Sequence, residues 1–213
     1  VGKTKSCSKF EDIRSIIRRA KAHGVDVYLY TSVKAYVHPD DPGAQAVFDS
    51  TYGEIARAYP EAKGVVLVGE SCSFPSKDNR ACADPFEVKQ ARGDKRPAPG
   101  WFPCYDYPAW LSCVKRAIGR HAPDMKVIFW TYNWGYVEEK ARLSLLENMP
   151  TGITLQATFE MFMTTQRDGV DIRPDDYCTF FEGPGGYFTS EAQKAKELGI
   201  SVIILAGDRV SAI

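Results

Sequence analysis

Gly64-Val-Val-Leu-Val-Gly-Glu70 carries four branched apolar residues in a row, with a glycine at each end and a carboxylate beyond. A run this short without alternation predicts a strand buried on both faces, the environment of a parallel sheet. Upstream, Val27-Tyr-Leu-Tyr-Thr-Ser-Val33 is β-branched and aromatic and reads the same way. Between the two, Phe48, Tyr52, Ile55 and Tyr59 recur at helical spacing over residues 46–59, and Pro60 stands past their end. A further helix is expected over residues 8–23. Ser8 and Glu11 form a capping box, Phe10, Ile13, Ile16, Ile17 and Ala20 form one face, and Gly24 stands at the stop. Downstream the pattern repeats, with helices over 107–121, 137–148 and 190–198 and strands over 126–133, 153–160, 177–182 and 201–207. Strands that alternate with helices specify an α/β fold with a parallel sheet.

Two arrangements satisfy that alternation, an open doubly wound sheet and a closed barrel. No G-x-G-x-x-G follows any strand, so the dinucleotide-binding form of the open sheet lacks its phosphate turn. Polar and acidic residues collect where strands end: Thr31 and Ser32, Glu70, Thr131 and Asn133, Thr158 and Glu160, Glu182, Asp208. In a barrel those ends share one mouth. The expectation is therefore a (β/α)8 TIM-type barrel in one domain, incomplete at the N-terminus, because 213 residues fall short of the ~250 of a full barrel. The ends of the chain echo one another, Ala20-Lys-Ala-His-Gly-Val-Asp-Val27 against Ala195-Lys-Glu-Leu-Gly-Ile-Ser-Val202, as a repeated helix-to-strand joint would.

Twenty-seven basic and 27 acidic residues cancel, which argues against nucleic acid or an anionic membrane as the main partner. No apolar run approaches the ~18 residues of a bilayer-spanning helix, and no signal-peptide pattern opens the sequence. Six cysteines show no C-x-x-C pair and no zinc-finger spacing. Cys113 and Cys178 read as buried thiols. Cys72, Cys82 and Cys104 share one irregular segment, where either a disulfide or free thiols fit, and the former suits a secreted or periplasmic setting.

Glu70 is the leading candidate for chemistry. A carboxylate at the end of a buried strand loses hydration, and its pKa is expected to rise toward that of a useful general acid. Glu160 and Glu182 each end an aromatic run in the same topological place, and either can pair with Glu70 for a two-carboxylate reaction at a sugar. Phe129-Trp-Thr-Tyr-Asn-Trp-Gly-Tyr136 places aromatics at period two as a strand runs into its loop. Trp130 and Tyr132 suit the core. Asn133 and Trp134, with Tyr132 and Trp101 as further contacts, suit a sugar's hydroxyls and apolar faces. Residues 71–106 form a long proline-rich segment weighted by Trp101, Phe102 and Tyr105, expected as a packed lid over the mouth. The three histidines do not end strands, so neither a metal centre nor Ser-His-Asp chemistry is expected, and no cofactor is called for.

With Glu70 after an apolar strand, Trp-Thr-Tyr-Asn-Trp at the next strand and Thr-Phe-Glu160 at the one after, the chain resembles TIM-barrel glycoside hydrolases from about Val27 to Gly207. It is closest in pattern to α-glucuronidases, β-hexosaminidases and their relatives in polysaccharide-degrading bacteria. That resemblance implies an acid at Glu70, ending the fourth barrel strand, a partner at Glu160 or Glu182, and a carbohydrate substrate. Gly69-Glu70 stands where the large retaining superfamily has Asn-Glu, and the Asp-Glu pair of hexosaminidases is missing. Two other readings accompany it: a carbohydrate-binding barrel without catalysis, and a phosphate- or flavin-binding barrel that uses Gly183 to Gly186.

Overall fold

A computed structural model describes residues 10–33, 36–70, 74–81, 91–98, 102–173 and 183–205. Its framework is a five-stranded parallel sheet: β1 (Tyr28–Ser32), β2 (Gly64–Val68), β3 (Lys126–Trp130), β4 (Ile153–Thr158) and, after a two-stranded hairpin, β7 (Val202–Leu205). The spatial order β1-β2-β3-β4-β7 follows the chain, with every neighbouring pair parallel. A doubly wound sheet would reverse its order at a switch point. An unreversed series of parallel strands is the wall of a (β/α) barrel, so the fold is α/β and fits an incomplete TIM-type barrel.

The helices follow from the apolar stripes. α1 (Phe10–Ala22) precedes β1, and Arg14 Nε donates to the carbonyl of Ala58 (2.8 Å). The helix expected over 46–59 is built from α2 (Ala44–Phe48), a π-helical turn (Asp49–Gly53) and α3 (Glu54–Ala58). Ser50 and Thr51 hydroxyls donate to the carbonyl of Val47 (2.9 Å each), competing with the ordinary ladder. The widened turn carries Gly53 against the next helix, where a Cβ would lie 3.3 Å from the carbonyl of Ala117. That helix, α4 (Tyr107–Gly119), buries Tyr107, Trp110, Leu111, Val114 and Ile118. α5 (Glu139–Asn148) and α6 (Gly186–Leu198) follow β3 and precede β7.

β2 is buried at every position, as its unbroken apolar run requires. Leu67, Phe129 and Leu155 lie in register on adjacent strands and are fully buried. Around Phe129, Tyr107, Trp110 and Trp134 form an aromatic cluster with ring centroids 5.2–5.6 Å apart. The wall therefore rests on aromatic packing from a helix and from a strand-end loop together.

Both sequence echoes form the same helix stop. Val25 N–H bonds the carbonyl of Ala20 (2.9 Å) and Gly24 N–H that of Lys21 (3.0 Å); Ile200 N–H bonds Ala195 (2.8 Å) and Gly199 N–H bonds Lys196 (3.2 Å). Gly24 and Gly199 sit at φ 71° and 69°, the left-handed region that favours glycine. This double bond is the Schellman motif, formed twice.

A short antiparallel hairpin was not expected from the sequence: β5 (Thr165–Arg167) pairs with β6 (Val170–Ile172) around Asp168-Gly169. Both tip residues have positive φ, 51° and 78°. Asp-Gly is a strong signal for such a turn. The strand expected over 177–182 and the Ser8 cap lie outside the described residues.

The described parts of the 71–106 segment pack inward at Phe74, Ala81, Ala98, Phe102 and Cys104. They are tied down at Asp106, whose carboxylate accepts from Ser76 Oγ, from Lys77 N–H (3.3 Å) and from His38 Nε2 (2.9 Å). His38 Nδ1 accepts from Asp40 N–H (3.1 Å), which fixes the proton on Nε2. Serine, histidine and aspartate meet here, but the serine bonds the aspartate. Nucleophile activation needs it on the histidine. Cys104 is a free, fully buried thiol, its pKa raised by burial, so it takes no part in a disulfide; Cys72 and Cys82 lie outside the described residues. Cys113 is likewise a free buried thiol on α4.

Candidate functional site

The carboxyl ends of β2, β3 and β4 are joined by hydrogen bonds that continue past the strands. Gly69 N–H bonds the carbonyl of Trp130 (2.9 Å), and Thr131 N–H bonds that of Gln156 (3.2 Å). Glu70 leaves this edge half-buried, and its Oε2 accepts from Asn133 Nδ2 at 2.8 Å. Two strand-end residues 63 positions apart are thereby joined in one polar pair.

Gly69 explains why the residue before Glu70 is glycine. A Cβ there would lie 2.5 Å from Phe129 Cζ and 2.8 Å from the carbonyl oxygen of Trp130. The Gly69 carbonyl accepts from Trp134 Nε1 (2.9 Å) and from the Tyr107 hydroxyl (3.4 Å), so the peptide that carries Glu70 is gripped from two sides. Asn133 adopts φ 60°, ψ 11°. Asparagine tolerates this left-handed geometry better than most side chains, and it turns the amide back onto Glu70.

The expected sugar-stacking aromatics are placed differently. Trp134 is fully buried in the aromatic cluster, so it supports the Glu70 peptide and offers no ring face to a ligand. Tyr132 is buried against Trp130, centroids 4.6 Å apart, and Trp130 donates from Nε1 to Thr158 Oγ1 (3.0 Å). Period two placed these rings correctly as a strand end, but rings this large complete the core first. Glu160 is buried, 4% exposed, at the end of β4. Glu182 and Trp101 lie outside the described residues. In Gly183-Pro-Gly-Gly186, Gly183 and Gly185 lie against the loop after β4. A Cβ on Gly183 would be 2.9 Å from the Phe159 ring, one on Gly185 3.2 Å from the carbonyl of Met161, and Gly185 N–H bonds the carbonyl of Phe159 (2.9 Å). Close packing accounts for both of them. Among the described residues no three His, Cys, Asp or Glu side chains gather as metal ligands would.

Beyond Asn133 the chain makes a 3-10 turn (Trp134–Tyr136), and the loop after β4 comes up against it. Phe162 has φ 61°, unusual for a bulky residue. Its ring lies so near Gly135 that a Cβ there would sit 2.2 Å away. Tyr136 and Tyr187 meet it edge-on, at 4.8 and 5.7 Å. A cleft of ≈ 410 Å³ opens here, lined by Asn133, Tyr136, Phe162, Thr164 and Arg173 among others.

Behind the edge lies a buried polar network that the sequence reading missed. Glu191 is fully buried on α6; its Oε2 accepts from Thr131 Oγ1 (2.6 Å), and its Oε1 lies 3.2 Å from Arg142 Nη1 of α5. Arg142 also donates to the Tyr187 carbonyl and to Ser190 Oγ, and it stacks over the Tyr187 ring, whose hydroxyl donates to the Thr131 carbonyl. Burial pushes the Glu191 carboxyl up to about 7, although Arg142 and Thr131 pull it down. The signal was available: Glu191 falls on the stripe Tyr187, Phe188, Ala195, and Arg142 falls among Ala141, Leu145 and Leu146. A charge on each of two facing apolar stripes indicates a buried pair.

No family model matches the chain, and no curated protein matches it. Among solved structures, a sugar phosphate isomerase/epimerase from Parabacteroides distasonis ATCC 8503 is similar, at TM-score 0.41 and 10% identity over 96% of this chain and 70% of that one. The glycoside hydrolase resemblance is thereby corrected. The solved structure that aligns with the chain is of an isomerase/epimerase, not of a glycoside hydrolase. Hydrolysis by Glu70 with Glu160 or Glu182 falls with it. The motifs behind it, an acidic strand end and an aromatic strand end, belong to the barrel edge in general and do not specify a reaction.

Proposed function

We propose that this chain is an enzyme that moves a proton on a small polyhydroxylated ligand, in the manner of a sugar isomerase or epimerase, with Glu70 as the base. The observation that carries this reading is the Glu70–Asn133 pair at the carboxyl edge of the parallel wall, where barrel enzymes place their chemistry. Asn133 occupies Oε2, which leaves Oε1 to take a proton from a carbon beside the ligand's carbonyl group. The C–H electron pair then forms a C=C bond, and the carbonyl oxygen takes up the negative charge. Return of the proton from Glu70 to the neighbouring carbon, as the adjacent hydroxyl gives its proton to the former carbonyl oxygen, regenerates the carboxylate and gives the isomer; delivery of a proton from water to the opposite face of the original carbon, with Glu70 losing its own proton to solvent, gives the epimer. The grip of Trp134 and Tyr107 on the Gly69 carbonyl supports the reaction by restricting where that carboxylate can point.

The test is solvent hydrogen exchange. Aldoses, ketoses and their phosphates are incubated with the protein in deuterium oxide, and loss of the proton next to the carbonyl is followed by NMR. The native protein is expected to exchange at least one of them, and Glu70→Gln to lower that rate by about 10²–10⁴-fold. Equal exchange by Glu70→Gln, or none by the native protein with any of them, refutes the assignment.

A further inference from the structure

We infer that the cleft beside Asn133 is an anion-anchored sugar site: it takes a polyol ring that carries a phosphate or carboxylate, with Arg173 holding the anionic group. This rests on the reading of Glu70 as the reacting base and names the class of ligand that base would serve. Asn133 belongs both to the Glu70 pair and to the lining of the cleft, so the cleft and the acidic strand end share a residue. At ≈ 410 Å³ the cleft lies within the usual range for small-molecule pockets.

Three features decide the ligand's chemistry. First, Arg173 follows β6 directly, and its Nε donates to Thr164 Oγ1 (3.2 Å), which fixes the plane of the guanidinium. Among the described residues its two Nη groups have no hydrogen bond or ion pair, and their fork matches a phosphate or carboxylate. Second, among the described residues that line this cleft Arg173 carries the charge and none is acidic. Third, Tyr136 and Phe162 stand at its wall, 47% and 40% exposed, in an edge-to-face pair. Exposed rings at right angles offer an apolar face to a sugar ring while Asn133 and Thr164 offer hydrogen bonds to its hydroxyls. The left-handed backbone of Phe162 and the close approach of its ring to Gly135 hold this wall in place. Strained backbone kept in register by its surroundings is a mark of binding sites.

Binding is measured by calorimetry with D-glucose 6-phosphate, D-glucuronate, D-glucose and inorganic phosphate as probes. At least one of the two anionic sugars is expected to bind about tenfold or more tightly than glucose, since a hydrogen-bonded charge contact contributes at that scale. Which of the two it is identifies the anion. Arg173→Gln should remove that difference, and Arg173→Lys should restore part of it, because the charge returns without the fork. Tyr136→Ala should weaken the anionic sugar and leave inorganic phosphate unchanged. The inference is overturned if glucose binds as tightly as both anionic sugars, if Arg173→Gln leaves their affinity unchanged, or if no probe binds. Failure of the two proposals is separable. Arg173-dependent binding without solvent exchange removes only the role of Glu70, and exchange that persists unaltered in Arg173→Gln removes only the anion site.

Discussion

Glu191 should make this protein less stable as pH rises from acid to neutral, opposite to the behaviour of a carboxylate in a solvated ion pair. Its carboxyl is fully buried between α5 and α6, and desolvation, the dominant influence, raises its pKa from 4.5 to about 7. Below the lower value the group is protonated in folded and unfolded chains alike, and its contribution is fully present. As pH rises, the unfolded chain gives up the proton first, so the equilibrium shifts toward unfolding until the folded carboxyl also ionises near 7. At 1.36 kcal/mol for each pH unit between the two values, the loss is roughly 3 kcal/mol. Other carboxylates titrate over the same range, and the comparison with Glu191→Gln cancels them. The amide keeps the shape and an acceptor for Thr131 while removing the ionisation. Urea unfolding followed by the fluorescence of buried Trp110, Trp130 and Trp134 supplies the free energies. The variant is expected to match the native protein within ~1 kcal/mol at about pH 5 and to exceed it by roughly 3 kcal/mol at about pH 8. A difference between the two proteins that does not change with pH, or that runs the other way, refutes the reasoning and makes Glu191 an ionised partner of Arg142 throughout.

Further outcomes follow from the edge of the wall. Gly69→Ala forces a Cβ into the Phe129 ring and the Trp130 carbonyl, and should cost about 1–3 kcal/mol in urea unfolding while also lowering Glu70-dependent exchange. Asn133→Gly keeps the left-handed backbone and removes the amide, so exchange should fall with little change in stability, whereas Asn133→Asp places a second carboxylate beside Glu70 and should move the pH profile of exchange to higher pH. Asp106→Ala leaves His38, Ser76 and Lys77 without their shared acceptor and should cost about 1–3 kcal/mol, with faster proteolysis within residues 74–81 as a second readout.

The centre of the wall was legible because β2, β3 and β4 are buried along nearly their whole length, whereas β1, expected to be buried as well, leaves Tyr30 exposed and β7 leaves Ile203 and Ile204 exposed. Four branched residues in β2 and the β-branched content of β1 leave few other conformations, and helical spacing located the helices between them. Element ends were less legible. The strand expected over 126–133 stops at Trp130, since Asn133 turns left-handed and Trp134 starts a 3-10 turn to reach the Gly69 carbonyl. That hydrogen bond joins residues 65 positions apart, which no local pattern encodes. The same distance problem governs the site. Glu70 and Asn133 were each visible as polar strand ends, but their pairing depends on the register of β2 with β3. Trp134 misled because one aromatic pattern serves a rim and a core equally well. Arg173 drew no notice because it lies past a hairpin whose only local marker is Asp168-Gly169.

The twin Schellman stops at Gly24 and Gly199 have a consequence for how such a wall can be rebuilt. Each fixes where the incoming strand begins relative to the outgoing helix using only main-chain bonds and one glycine, so it makes no demand on the helix's outer surface. The outer surface of each helix can therefore be recoded without moving the start of the strand that follows, whereas the inner face of α6 stays committed through Glu191 and Tyr187.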